Sequence, residues 1–216
     1  MERAPSFRYG AVLVCTTSAL VFLIIAPSRD WAHGVAFALE GVALAIAVAT
    51  ASTRPKVQRA RAAVIGGAAG LLVVVISTGL VPPEGAAALS ALAGTGASLA
   101  LVGGLIRLVR RHGVTLQAVA GALAIYVQLG LIFAWLIGFV AYVSDKPYFA
   151  QGGDGSQSDR VYFSFTVMTT TGFGDLTAAQ QVGRGIAVVE MLVGQIYLVT
   201  VIGVLVGGLV GSRRER

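Results

Sequence analysis

At 216 residues, with 56% hydrophobic and only 12% charged side chains, this chain is too apolar for a soluble domain, where about a quarter of residues carry charge. It is read as a membrane protein, and its net charge of +6 as Lys and Arg collected in cytoplasmic loops rather than as a nucleic-acid surface. A single cysteine, Cys15, excludes an intrachain disulfide.

A helix needs about 20 mostly apolar residues to cross the hydrocarbon core. Runs of that kind lie at Tyr9–Ala26, Trp31–Ala51, Ala62–Val81, Ala86–Leu108, Leu116–Val143 and Val182–Val210, with a shorter helical stretch near Asp159–Thr169 before the last. The first run follows Arg3 and Arg8 as a signal peptide would, but it exceeds the roughly 7–15 apolar residues of a cleavable segment and is read as a retained helix. The expected fold is an all-α membrane protein of six transmembrane helices, with a re-entrant helix and loop between the fifth and sixth. Two units are expected, a four-helix membrane unit over 1–112 and a second unit over 113–216.

Arg54, Lys56, Arg59 and Arg61 follow the second run, Arg107, Arg110 and Arg111 the fourth, and Arg213, Arg214 and Arg216 the sixth. The alternate loops hold Asp30, Glu84, Asp145, Asp154 and Asp159. This asymmetry places both termini in the cytoplasm, in a cell membrane, with the basic clusters available to anionic lipid. The polar stretch Lys146–Asp159 is expected to be a mobile outer loop. Glu40 and Glu190 stand inside apolar runs, where an ionised carboxylate costs about 2.5–3.5 kcal/mol at mid-membrane, so each needs a partner, water or a proton. Glu40, with His33 two turns away, is read as a buried neutral acid. Gln128 and Trp135 are read as interhelical contacts.

The segment Thr169-Thr170-Thr171-Gly172-Phe173-Gly174-Asp175 lies between the last two spans and cannot itself be helix or strand. Two glycines around one aromatic permit backbone conformations closed to other residues, so successive carbonyls can turn to one side. A bare cation needs such a row, because carbonyl oxygens must replace its hydration shell. The reading Thr170-Thr171-Gly172-Phe173-Gly174-Asp175 resembles the selectivity filter of tetrameric potassium channels. Phe163-Ser164 stands before it at the pore-helix spacing, Gly183-Arg184 opens the next helix, and Gly194 falls at the family's inner-helix hinge position. The likeness runs from about Leu116 to Val210.

The resemblance implies a homotetramer, since the chain holds one pore unit and the filter requires fourfold rings, with K⁺ ions in the filter as cargo and no organic cofactor. It implies K⁺ ligands at the carbonyls of Thr170, Thr171, Gly172 and Phe173, continued by Gly174, and the Thr170 hydroxyl facing the cavity. Asp175 becomes an outer-mouth acid or a cap for the following turn. Tyr162, Phe163 and Thr166 occupy positions where many family members place Trp or Glu, so the side-chain network that restrains the filter is expected to be largely absent. Glu190 is expected to support the filter by bonding the pore helix at Thr166 or Thr169.

Gly194, Leu198 and Ile202 recur every fourth residue and share a helix face with Gln195 beside it, a candidate cavity and gate lining. Gly194 serves either as hinge or as close-packing residue. The stretch Gly85–Ile106 holds no charged residue, so the first four helices have the topology of a voltage sensor without its arginines. The expected function is a K⁺-selective channel that is not gated by voltage, with a poorly selective cation channel or a K⁺ transporter pore subunit as the alternatives. The sequence holds neither a metal-binding His/Cys spacing nor a nucleophile with its base, so an enzyme is not expected.

Overall fold

The fold is described from a computed structural model over residues 9–25, 35, 39, 41–42, 45–46, 99, 101–110 and 113–214. Most of the second and fourth expected spans, all of the third, and Glu40 and His33 lie outside the described residues.

Helix α1, Tyr9–Ile25, covers the first expected span. Helix α2, Leu116–Val143, begins where Thr115 accepts a hydrogen bond from the Ala118 amide and runs for 28 residues, about 42 Å at 1.5 Å per residue, with the bounds expected from hydropathy. The short helix α3, Gln157–Met168, starts at a capping box in which Ser156 and Asp159 bond each other's backbone amides. The last span is α4, Gln181–Ile196, a six-residue π turn at Tyr197–Ile202, and α5, Gly203–Arg214. Two stretches among the described residues are long and apolar enough to cross a membrane, Leu116–Val143 and Gln181–Gly211.

Helix α1 packs on α2 and α3, and α3 sits between α2 and α4. The Gly10 amide donates to Gln117 Oε1 at the start of α2 (3.2 Å). At the other end, Ser158 at the start of α3 donates to the Ile24 carbonyl (2.9 Å). Helices α1 and α2 therefore run parallel.

Among the described residues, three apolar clusters hold this arrangement. Tyr9 and Val12 meet Leu101, Leu105 and Leu108 of a helical segment over 101–110, with Ala118, Ala122 and Ile125 of α2 and Leu205 of α5. Leu23 meets Leu131, Ala134 and Val161 midway. At the filter end Ile137 and Ala141 meet Tyr148, Phe149, Phe163 and Ala178. Gln128 and Trp135 are both buried, as interhelical residues should be. Cys15 is a free thiol packed at the edge of the first cluster.

Candidate functional site

Helix α3 ends immediately before the candidate filter and positions it through main-chain hydrogen bonds. The Thr169 amide donates to Phe165 O (3.0 Å), the Thr170 amide to Val167 O (2.9 Å), and the Thr171 and Gly172 amides both to Thr166 O (2.9 and 3.1 Å). Four consecutive N–H groups thus turn back toward the helix. Thr170, Gly172 and Gly174 have φ of 57°, 53° and 81°, while Thr171 and Phe173 between them do not take positive φ. Alternating hands in this way rotates successive peptide planes so that their carbonyls can share a side, which a strand of uniform hand cannot do.

Thr170 is β-branched and held in the left-handed region, at a cost of about 1–2 kcal/mol; such strain persists where the surroundings over-determine it. Among the described residues, no backbone donor occupies the carbonyls of 170–174. The C-terminus of α3, with its partial negative charge, abuts this stretch and favours a cation there.

Side chains reinforce both ends of the segment. Inside, Gln195 Nε2 donates to Thr170 Oγ1 (3.0 Å), and the Thr169 and Thr171 hydroxyls lie 2.9 Å apart. Outside, Tyr162 donates its hydroxyl to Asp175 Oδ2 (2.8 Å), and its ring lies parallel to Phe173 with centroids 6.3 Å apart.

The expectation of a largely missing restraint network is therefore corrected. Tyr162 supplies a donor to Asp175, and the parallel Tyr162–Phe173 pair adds a contact that does not need a hydroxyl on Phe173. Asp175 is engaged by Tyr162, and the following helix takes Gln180, not Asp175, as its N-cap. Thr166 supports the filter through its backbone carbonyl, while its hydroxyl donates to Phe163 O (2.8 Å). Phe163 faces away from the filter and packs edge-on against Tyr148 and Phe149.

Glu190 is fully buried. Its expected partner, Thr166 or Thr169, is corrected to Ser164, also on α3 but nearer its start. Ser164 Oγ also lies 2.7 Å from the Gly130 carbonyl of α2, so one hydroxyl joins α2, α3 and α4. Gly194 is buried against the end of α3, where an added Cβ would collide with Met168 O. This is a close approach that only glycine permits.

Three residues further on, the π turn interrupts the fourfold spacing. Tyr197 reaches α2, donating to Ala122 O (2.8 Å), and Ile202 packs at the margin of the first apolar cluster. An i→i+5 turn inserts a residue and shifts the register of the later turns, and Gly194 and Ile202 both turn toward neighbouring helices of this chain. Gln195 reaches the candidate filter at Thr170.

The outer loop, expected to be mobile up to Asp159, is instead tied to the segment after the filter. Phe149 bridges Ala178, the Ala150 amide donates to Thr177 O (2.9 Å) and the Ala179 amide to Tyr148 O (2.8 Å). Asp154 Oδ1 accepts from the Tyr148 amide (2.9 Å). Burial of Tyr148 raises its phenol pKa well above the ordinary value. Sequence reasoning misses both the bracing by Tyr162 and this clasp, although Ser156-Gln157-Ser158-Asp159 carries the capping pattern that starts α3 two residues early.

No group of three or more His, Cys, Asp or Glu side chains able to hold a metal occurs among the described residues. One chain offers a single row of backbone carbonyls and cannot by itself surround an ion.

Residues 124–209 match a family model described as an ion channel. The matched stretch begins within α2, includes α3 and the filter segment, and ends within α5. No curated protein and no solved structure matches the chain. The match to an ion-channel domain and the two membrane-capable helices support a membrane protein with a channel function.

Proposed function

We propose that the chain forms a homotetrameric, K⁺-selective channel in a cell membrane, with both termini cytoplasmic and passive K⁺ flow along a central axis. The observation that carries this reading is the alternation of φ at Thr170, Gly172 and Gly174, with amides of the segment engaged by α3. Four such rows around an axis would make stacked rings from the carbonyls of Thr170, Thr171, Gly172 and Phe173, with Gly174 at the outer end and the Thr170 hydroxyl at the inner end.

The inner helix supports assembly. Only 11% of its most apolar window is buried within the chain, against 50% for α2. Leu192, Ile196 and Val199 are exposed, a surface that neighbouring copies and lipid would cover. Asp175 would form an acidic ring at the outer mouth and concentrate cations. Glu190, Phe163 and Thr166 hold the pore helix, and Gln195 lies at the cavity end of the filter. The absence of charge from Gly85 to Ile106 supports gating that does not depend on voltage. Arginines such as Arg213 and Arg214 would meet anionic lipid head groups.

The test is ion flux into liposomes holding the pure protein. Uptake driven by a K⁺ gradient and much slower uptake with Na⁺ is expected. Equal uptake of the two would favour the poorly selective channel instead, and no flux with either ion would refute a channel.

A further inference from the structure

Ser164 Oγ has one hydrogen, yet it contacts two oxygens. One is the Gly130 carbonyl at 2.7 Å, which can only accept. The other is Glu190 Oε1. If Ser164 gave its hydrogen to Glu190, two oxygens without a hydrogen between them would be pressed together at the Gly130 contact. If it gives the hydrogen to Gly130 O, the contact with Glu190 needs a second proton, and the carboxyl is the one group able to supply it.

The surroundings agree. Glu190 is fully buried, its Oε2 has no hydrogen-bond partner among the described residues, and a buried carboxylate without a cation or donors is far costlier than a neutral acid. Among the described residues, the titratable groups that face it are the phenols of Tyr126 on α2 and Tyr148 on the outer loop. Arg160 on α3 is turned to the carbonyls of Asp154 and Gly155, and Arg184, on the same helix as Glu190, to the Ala178 carbonyl.

We propose that Glu190 carries a proton at neutral pH and donates it to Ser164. The relay Glu190 to Ser164 to Gly130 then makes it a positioning residue that locks the pore helix between the outer and inner helices. Its link to conduction rests on the channel reading above, whereas its protonation does not. Raising the pH removes the shared proton and sets a negative charge against a hydroxyl committed elsewhere. The pore helix, from whose carbonyls the filter amides hang, loses its lateral tie. Conduction therefore falls on the alkaline side.

The experiment is infrared spectroscopy of the purified protein in lipid, paired with K⁺ flux. At neutral pH the wild type shows the carbonyl-stretch band of a protonated carboxyl that Glu190→Gln lacks, and Ser164→Ala shifts that band toward a carboxyl with no acceptor. Glu190→Gln keeps flux because its amide N–H donates to Ser164 as the acid did, and it loses the alkaline decline. Glu190→Ala reduces flux several-fold.

A difference spectrum without the band, or a band unmoved by Ser164→Ala, overturns the proposal. So does an alkaline decline retained in Glu190→Gln. Should Glu190→Gln fail to fold, the Ser164→Ala shift still decides. Should neither the wild type nor any variant conduct, the channel reading fails while the infrared result still settles the protonation.

Discussion

At the scale of single residues, glycines of this chain are required for two different physical reasons, and substitution separates them. At Gly172 and Gly174 an added Cβ would meet nothing within 4 Å, so the penalty for alanine is conformational, about 1–2 kcal/mol for a left-handed residue. Gly172→Ala and Gly174→Ala are expected to fold and assemble normally by size-exclusion chromatography but to lose K⁺ flux, because the peptide planes relax out of the alternating hand. Wild-type flux from either would count against the filter assignment.

Gly194→Ala is the opposite case. Its Cβ would collide with a backbone oxygen, which cannot swing aside, and overpacking of this kind costs about 1–3 kcal/mol. A lowered midpoint in thermal unfolding is expected, and an unchanged midpoint would mean that α3 and α4 approach less closely. The turn that breaks the last apolar runs, with its left-handed positions at Thr170, Gly172 and Gly174, is local, and its glycines are legible in the sequence on either side of Phe173. The partner of Glu190 was not legible, because whether it meets Ser164 or Thr166 depends on how two helices slide past each other.

The same division runs through the elements. Hydropathy alone located α2, since a long apolar run with a threonine cap has no competing structure. The π turn left no comparable mark: Tyr197–Ile202 holds neither Pro nor Gly, and the interruption becomes visible only with α2 in place, where Tyr197 donates to Ala122 O and lies against Tyr126 with ring centroids 6.0 Å apart. That bond ties the last span to the outer helix just beyond the filter-bearing half. Tyr197→Phe keeps the ring contact and removes the hydroxyl, so it is expected to destabilise the protein by about 0.5–1.5 kcal/mol. Equilibrium unfolding in detergent would register this. No change would show that the hydroxyl does not hold the turn.

For the molecule as a whole, the parallel course of α1 and α2 sets α1 against the unit proposed to form the pore, with Ser158 of α3 bonded to the end of α1. A helix so placed braces the pore helix from outside. A working voltage sensor needs charge that crosses the field, each elementary charge being worth about 2.3 kcal/mol per 100 mV, and none lies between Gly85 and Ile106. Arg107, at the end of that stretch, donates to the Gly103 carbonyl of its own helix (2.9 Å). Open probability is expected to vary little with voltage in symmetric K⁺. A steep conductance–voltage curve abolished by neutralising Arg107 and Arg110 would contradict this.

In the channel proposed here, the carbonyls of Thr170 to Phe173 replace the hydration shell of K⁺ and not that of Na⁺. The most direct test of this is the reversal potential of the purified protein in a planar bilayer with K⁺ on one side and Na⁺ on the other. A potential close to that of a membrane permeable to K⁺ alone is the predicted result. A reversal potential near zero, with currents of equal size carried by either ion, would contradict the account.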